Sequence, residues 1–186
     1  MKSQLFKQLA AVFLITLTLL SIYFGSYLPL VKAQRYISFT QSLGNVKTLE
    51  EFQSRSKNLL DFYSPVGQEE TVKFLSHDMV NIVRNPNQGE RISRELVNLI
   101  EPYILKENVR HLLTISEIYS VLLSKYKHEE DFLASESYLL ETLKIGPNLP
   151  PALYPLYDLY RAHGDKEKAN EIKGTILKYW PDENRL

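Results

Sequence analysis

Cysteine is absent from the 186 residues. That excludes a disulfide framework, a thiolate metal site and a thiol nucleophile. Glycine is sparse, and Gly44, Gly67, Gly89, Gly146 and Gly164 stand isolated. No loop can therefore cradle a phosphate in the usual way, and "NPNQGER" (85–91) lacks the required glycine pattern. There is no excess of charge, since 22 basic residues balance 22 acidic ones. Residues 1–35 carry Lys2, Lys7, Lys32 and Arg35 and no acid, so the 18 basic and 22 acidic residues beyond them leave a charge of −4. A mildly acidic body lacks the concentrated basic face that nucleic acid demands. Nowhere does a two-residue alternation of apolar and polar side chains persist, so strands are unsupported and the fold class is all-α.

Catalytic constellations are missing as well. His77, His111, His128 and His163 have no ligand spacing among themselves. His77-Asp78 and His128-Glu129-Glu130 read as solvated helix-face or turn residues. The acidic run Glu129-Glu130-Asp131 opens a helix, where it complements the dipole. Ser64 and Ser76 have no nucleophile-elbow context. No catalytic, cofactor-binding or metal-binding residue is expected, and no cofactor.

The strongest positive signal is the uncharged run of 23 residues from Leu9 to Val31, "LAAVFLITLTLLSIYFGSYLPLV". A helix of that length crosses a hydrocarbon core of roughly 30 Å. Tyr23 and Tyr27 lie toward one end, at the level where aromatic rings suit the interface, and Pro29 fits a last turn or a kink. This predicts a transmembrane anchor over residues 1–33 and a single-pass membrane protein. The competing reading is a cleaved signal peptide, for which Val31 and Ala33 supply small residues at the −3 and −1 positions of a cut. The run exceeds the 7–15 residues usual for such a peptide. Lys2 and Lys7 on one side and Lys32 and Arg35 on the other give no decisive orientation. A short tail before the anchor and a large body after it favour an extracytoplasmic body.

Beyond the anchor the periodicity is helical. A membrane-proximal helical segment is expected over residues 34–110. "RYISFTQSL" (35–43) ends at Gly44-Asn45, and Thr48 with Glu51 forms a capping box for the helix that follows. "DFYSPVGQEE" (61–70) is a loop leading to a new helix start at Gln68–Glu70. "EETVKFLSHDMVNIVRN" (69–85) carries a stripe of Val72, Leu75, Met79, Ile82 and Val83. After the break at 85–90, "RISRELVNLIEPYILKEN" (91–108) is a helix that Pro102 bends or splits.

Residues 111–186 show internal order. At an offset of 34, Leu122 meets Leu156, Tyr126 meets Tyr160, Ser135 meets Ala169 and Pro147 meets Pro181. The two units, 116–149 and 150–186, each read as helix, polar turn, helix, proline. A 34-residue helix–turn–helix period is the signature of the tetratricopeptide (TPR) repeat, and these units resemble that family. Tyr119 and Leu153 match its first large residue, Ser135 and Ala169 its small residue at the helix contact, and Pro147 and Pro181 its closing proline. Leu123 and Tyr157, where the family has a small residue, Thr142 and Lys173 are departures, and the last unit is a degenerate, capping-type repeat. A generic pair of helical hairpins sharing the period is the alternative.

The order of "SYLPLVKAQRYIS", "LDFYSPVGQEETVKFLSHDMVNIV" and two TPR-like units is also similar to the soluble tail after the last membrane helix in bacterial O-antigen ligase or polymerase proteins. The glycan chemistry of that family resides in a multi-helix membrane core. The resemblance therefore implies a detached tail or accessory subunit in the cell envelope, with a multi-span glycan polymerase as partner, and no activity of its own. In TPR stacks the first helix of each unit lines a groove. By position that face carries Glu117, Ser120, Ser124 and Lys127, then Tyr154, Asp158 and Arg161. Tyr154 would anchor, and Lys127 and Arg161 would pair with carboxylates of, an extended protein or peptide partner. The competing reading is that these are solvated side chains.

Overall fold

The computed structural model describes residues 2–183. Met1 of the expected anchor and residues 184–186 closing the second repeat unit lie outside them. Among the described residues there are nine α-helices and no strand. The chain divides into two compact units, Met1–Thr71 and Val72–Leu186.

In the first unit, α1 (Lys2–Ile22), a π-helical turn (Tyr23–Tyr27) and α2 (Leu28–Ser42) run on without a break. This is one helix long and apolar enough to cross a membrane. Leu5, Phe6, Leu9, Val12, Phe13 and Leu14 are all exposed, an apolar surface all round that suits lipid. The hydroxyls of Thr16 and Thr18 donate to the carbonyls of Val12 (2.9 Å) and Leu14 (2.8 Å), so neither is left unsatisfied on this apolar helix. Pro29 has no N–H for the carbonyl four residues back. The π turn just before it widens the helix where that bond is missing, and α2 continues to Ser42.

A 3-10 turn (Leu43–Asn45) reverses the chain into α3 (Leu49–Leu60). The Thr48 hydroxyl accepts from the Glu51 N–H at 3.1 Å. Glu51, expected to return to the Thr48 N–H, instead accepts from the Lys47 N–H at 3.2 Å, so the box is completed one residue further out. Helix α3 packs on α2, with Phe39 and Phe52 rings 5.9 Å apart.

Lys32 is the lock of this unit. It reads in sequence as a positive flank of the anchor, yet its side chain is buried. Its Nζ donates to the carbonyls of Leu59 (2.6 Å) and Phe62 (2.9 Å) and to Gln68 Oε1 (2.5 Å). The C-terminal end of a helix exposes carbonyls and carries the negative end of the dipole, so an ammonium there fills both needs. The loop at 61–67 wraps this ammonium. Ser64 closes it through its hydroxyl to the Val66 carbonyl (2.6 Å), and Gly67 takes the left-handed conformation (φ 90°) that leads into α4 (Gln68–Arg84).

The second unit holds the rest of α4, then α5 (Glu90–Ile100), α6 (Val109–Tyr126), α7 (Glu129–Ile145), α8 (Pro150–His163) and α9 (Lys166–Tyr179). The helix expected over 91–108, bent or split at Pro102, is interrupted there and does not resume before 108. Helix α5 stops at Ile100, Pro102 sits in a 3-10 turn (Glu101–Tyr103), and Asn108 starts α6 by accepting from the N–H groups of Arg110 and His111. Helix α6 thus begins seven residues before the first 34-residue unit. Helices α6–α7 and α8–α9 form two successive hairpins, and α8 also touches α7 and α6. Ser135 is fully buried at the first seam, its hydroxyl 2.8 Å from Ser120 Oγ and donating to the Ser116 carbonyl at 3.1 Å. Ala169 is buried at the second. Leu139, Leu153, Leu156, Tyr160 and Ile176 belong to the core they share.

Candidate functional site

The expected binding face lies on α6 and α8, the first helices of the two hairpins, which touch each other. Its seven residues have four different fates. Glu117 forms an ion pair with Arg84 of α4. Ser120 turns into the α6–α7 seam, where its Oγ meets Ser135. Tyr154, the expected aromatic anchor, is half-buried; its hydroxyl donates to Glu183 and its ring lies 6.4 Å from that of Trp180. Glu117 stays exposed beside its ion pair, and Ser124, Lys127, Asp158 and Arg161 are exposed as well. The structure brings these four to the C-terminal halves of the two helices, two from each.

Arg161 lies over the Tyr157 ring at 5.4 Å. Both line a cleft of about 300 Å³ with Gly164, Lys166, Ala169 and Asn170. A guanidinium stacked on an aromatic face is held in place while its N–H fork stays available. Nearby, the Tyr160 hydroxyl and Lys168 Nζ both donate to Glu136 Oε1, each at 2.8 Å. Burial, then the Glu136 hydrogen bond, raises the Tyr160 pKa above its ordinary value, and Lys168's own hydrogen bond to Glu136 raises that of Lys168.

Lys127 is the conformational outlier. It caps α6 with φ 63° and ψ 27°, and it is the one described non-glycine residue at positive φ. The equivalent cap of α8 is Gly164, at φ 90°. A side chain in the left-handed region costs roughly 1–2 kcal/mol relative to the right-handed one, which is why glycine dominates such caps. The first hairpin thus keeps a cation where the second uses the residue the backbone prefers.

Sequence reasoning missed the buried polar contacts that hold this unit. Asp131, read as part of a solvated acidic run, is fully buried against Arg94, while its neighbours Glu129 and Glu130 stay exposed. The hydrogen bond to Asp131 drives the Arg94 pKa further above its already high value. Glu101 Oε1 accepts from Tyr119 (3.0 Å) and Tyr138 (2.6 Å), whose rings stack 6.0 Å apart. Lys125 Nζ donates to the carbonyls of Val83, Asn85 and Gln88 at 2.8–3.1 Å. Three of the four histidines have polar partners: His111 Nδ1 accepts from the Leu105 N–H, His128 pairs with Glu90, and His163 pairs with Glu129. Among the described residues no group of three or more metal-ligating side chains forms.

No protein-family profile matches the chain, and no curated protein or solved structure matches it at significance.

Proposed function

We propose that this chain is a single-pass membrane protein whose C-terminal hairpins act as a TPR-like platform for a protein or peptide partner, without a catalytic site of its own. Its hydrophilic body is extracytoplasmic in this reading. The observation that carries it is Lys127. A lysine kept at a strained left-handed cap, on the face that the repeat positions assign to it together with Arg161, is a local cost to stability that binding would offset. Ser124 and Asp158 complete a polar face with two cations, suited to a partner segment that presents carboxylates with a hydrogen-bonding group between them. Tyr154 supports this face by holding the Trp180–Glu183 segment rather than by touching the partner.

The test starts with affinity purification of the full chain from detergent-solubilised membranes, followed by titration of the recovered partner. Lys127→Gly should raise the melting temperature, because glycine relieves the cap, and should weaken binding about tenfold, a hot-spot effect. Arg161→Ala should weaken binding similarly with little change in stability. A Lys127→Gly chain that binds like the parent would remove the basis for this reading.

A further inference from the structure

The first unit contains a second feature that the binding platform does not use. Between α2 and α3 lies a cleft of about 540 Å³, whose polar lining includes Gln34, Arg35, Ser38, Ser54, Arg55 and Asn58. No carboxylate is among its lining residues. Gln34, Arg35 and Ser38 share one face of α2 at helical spacing, beginning three residues after the uncharged run ends at Val31.

Position along the helix decides what can reach this cleft. At 1.5 Å per residue, Arg35 stands about 6 Å beyond Val31. The headgroup layer of each leaflet is roughly 5–8 Å thick, taking the difference between the hydrocarbon core and the whole bilayer. Arg35 therefore lies at the depth of lipid phosphates. Its guanidinium is already oriented there, donating to Asn58 Oδ1 at 2.8 Å and stacked 4.0 Å over the Phe62 ring. Those contacts use one edge of the fork and leave other N–H groups for an anion. Arg55, further from the membrane, is partly neutralised by Glu51 at 2.5 Å and also reaches the Ser42 carbonyl at 3.5 Å. Arg35 is thus the stronger anion site of the two, and the hydroxyls of Ser38 and Ser54 suit the polyol beyond a phosphate.

We infer that the α2–α3 cleft binds the headgroup of an anionic phospholipid, its phosphate on Arg35 and its hydroxyl-bearing end toward Ser38 and Ser54. This rests on the membrane-spanning reading of α1 and α2. Bound lipid would fix α3, and with it the Lys32-locked loop, at the membrane surface.

The experiment uses the full chain, first in membranes and then reconstituted into bilayer discs of phosphatidylcholine with phosphatidylglycerol. Retention in the membrane pellet after a carbonate wash supports the anchor; release overturns both the anchor and this inference. Native mass spectrometry then reads which lipid stays bound when the discs are dissolved. Phosphatidylglycerol should be enriched about tenfold over phosphatidylcholine, the weight of one charge-assisted site. Arg35→Gln should abolish the enrichment. Ser38→Glu, which keeps both arginines and alters only an exposed side chain, should do so too, and it serves if Arg35→Gln fails to fold. Arg91→Gln, on the exposed side of α5, should change nothing. Equal retention of both lipids, or enrichment unaffected by Arg35→Gln and Ser38→Glu, overturns the inference. Displacement of the lipid by inorganic phosphate alone would overturn it as well, by showing a site for soluble anions.

Discussion

Arg94 of α5 grips Asp131 of α7 through two parallel hydrogen bonds, Nη1 to Oδ1 at 2.8 Å and Nη2 to Oδ2 at 3.0 Å. The carboxylate has no exposure to solvent, and Glu90 steadies the guanidinium from its Nε side at 3.0 Å. Two residues 37 apart in sequence thereby fix where the first hairpin sits against α5. Arg94→Ala would strand a buried charge and should cost about 3–5 kcal/mol. Arg94→Lys keeps the charge but loses the fork, so it should fall between. Thermal unfolding of the full chain in detergent micelles, followed by circular dichroism, measures both. An Arg94→Ala melting temperature equal to that of the parent would show that the pair does not hold the fold.

Alkaline pH should loosen the same unit through its tyrosines. Burial, then the carboxylate of Glu101, raises the pKa of Tyr119 well above its ordinary value of 10.0, and burial, then the hydrogen bond to Glu101, does the same for Tyr138. The folded state therefore keeps these phenols protonated where the unfolded state loses protons. Their contribution to stability is complete below about pH 10 and declines as pH rises through and beyond that value. Tyrosinate absorbance should accordingly lag for part of the tyrosine set and appear together with loss of helix. Tyr119→Phe and Tyr138→Phe, taken together, should shrink the lagging fraction; an unchanged titration would contradict the assignment.

Lys32 and Lys125 are the same device used twice. Each sends an ammonium from one helix into the carbonyls that end another, Lys32 at the end of α3 and Lys125 at the end of α4. Lys125→Met keeps the stem and removes the donors, and should cost about 1.5–3 kcal/mol, the weight of hydrogen bonds to a charged group. Amide hydrogen exchange should quicken over residues 85–89 more than elsewhere in the unit. Uniform protection in the variant would mean that the loop does not depend on the lysine.

What the sequence revealed and what it concealed divides along one line. The membrane-length run, the Thr48 cap, the loop at 61–67, the polar turn inside each hairpin and the small residues Ser135 and Ala169 are local signals, carried by a few neighbouring side chains, and each is present in the structure. Lys32, Asp131, Glu101 and Lys125 could be classified only by type. Their partners lie 18–42 residues away, at distances over which composition and periodicity are silent. The candidate face suffered from the same limit: its helix positions followed from spacing, but the engagement of Glu117 by Arg84, Ser120 by Ser135 and Tyr154 by Glu183 did not. Position-specific φ is equally invisible, so Lys127 read as an ordinary cation.

The close approach at the second hairpin admits a direct check. Ala169 is buried where α9 meets the core, beside the cleft it lines with Tyr157 and Arg161, so a phenyl ring on its packed side must displace core neighbours. Ala169→Phe should destabilise by about 1–3 kcal/mol through overpacking. A melting temperature matching the parent would place the α8–α9 contact elsewhere.

The central claim, that the polar face of α6 and α8 receives a partner, is tested most directly by position-resolved crosslinking in intact membranes. A photo-reactive residue would replace Ser124, Asp158 or, on the exposed side of α7, Ser137. The account predicts one discrete adduct of the same partner from Ser124 and Asp158, none from Ser137, and loss of that adduct when Arg161→Ala is added. An adduct that forms from Ser137 alone, or one that forms from all three positions and survives Arg161→Ala, would contradict it.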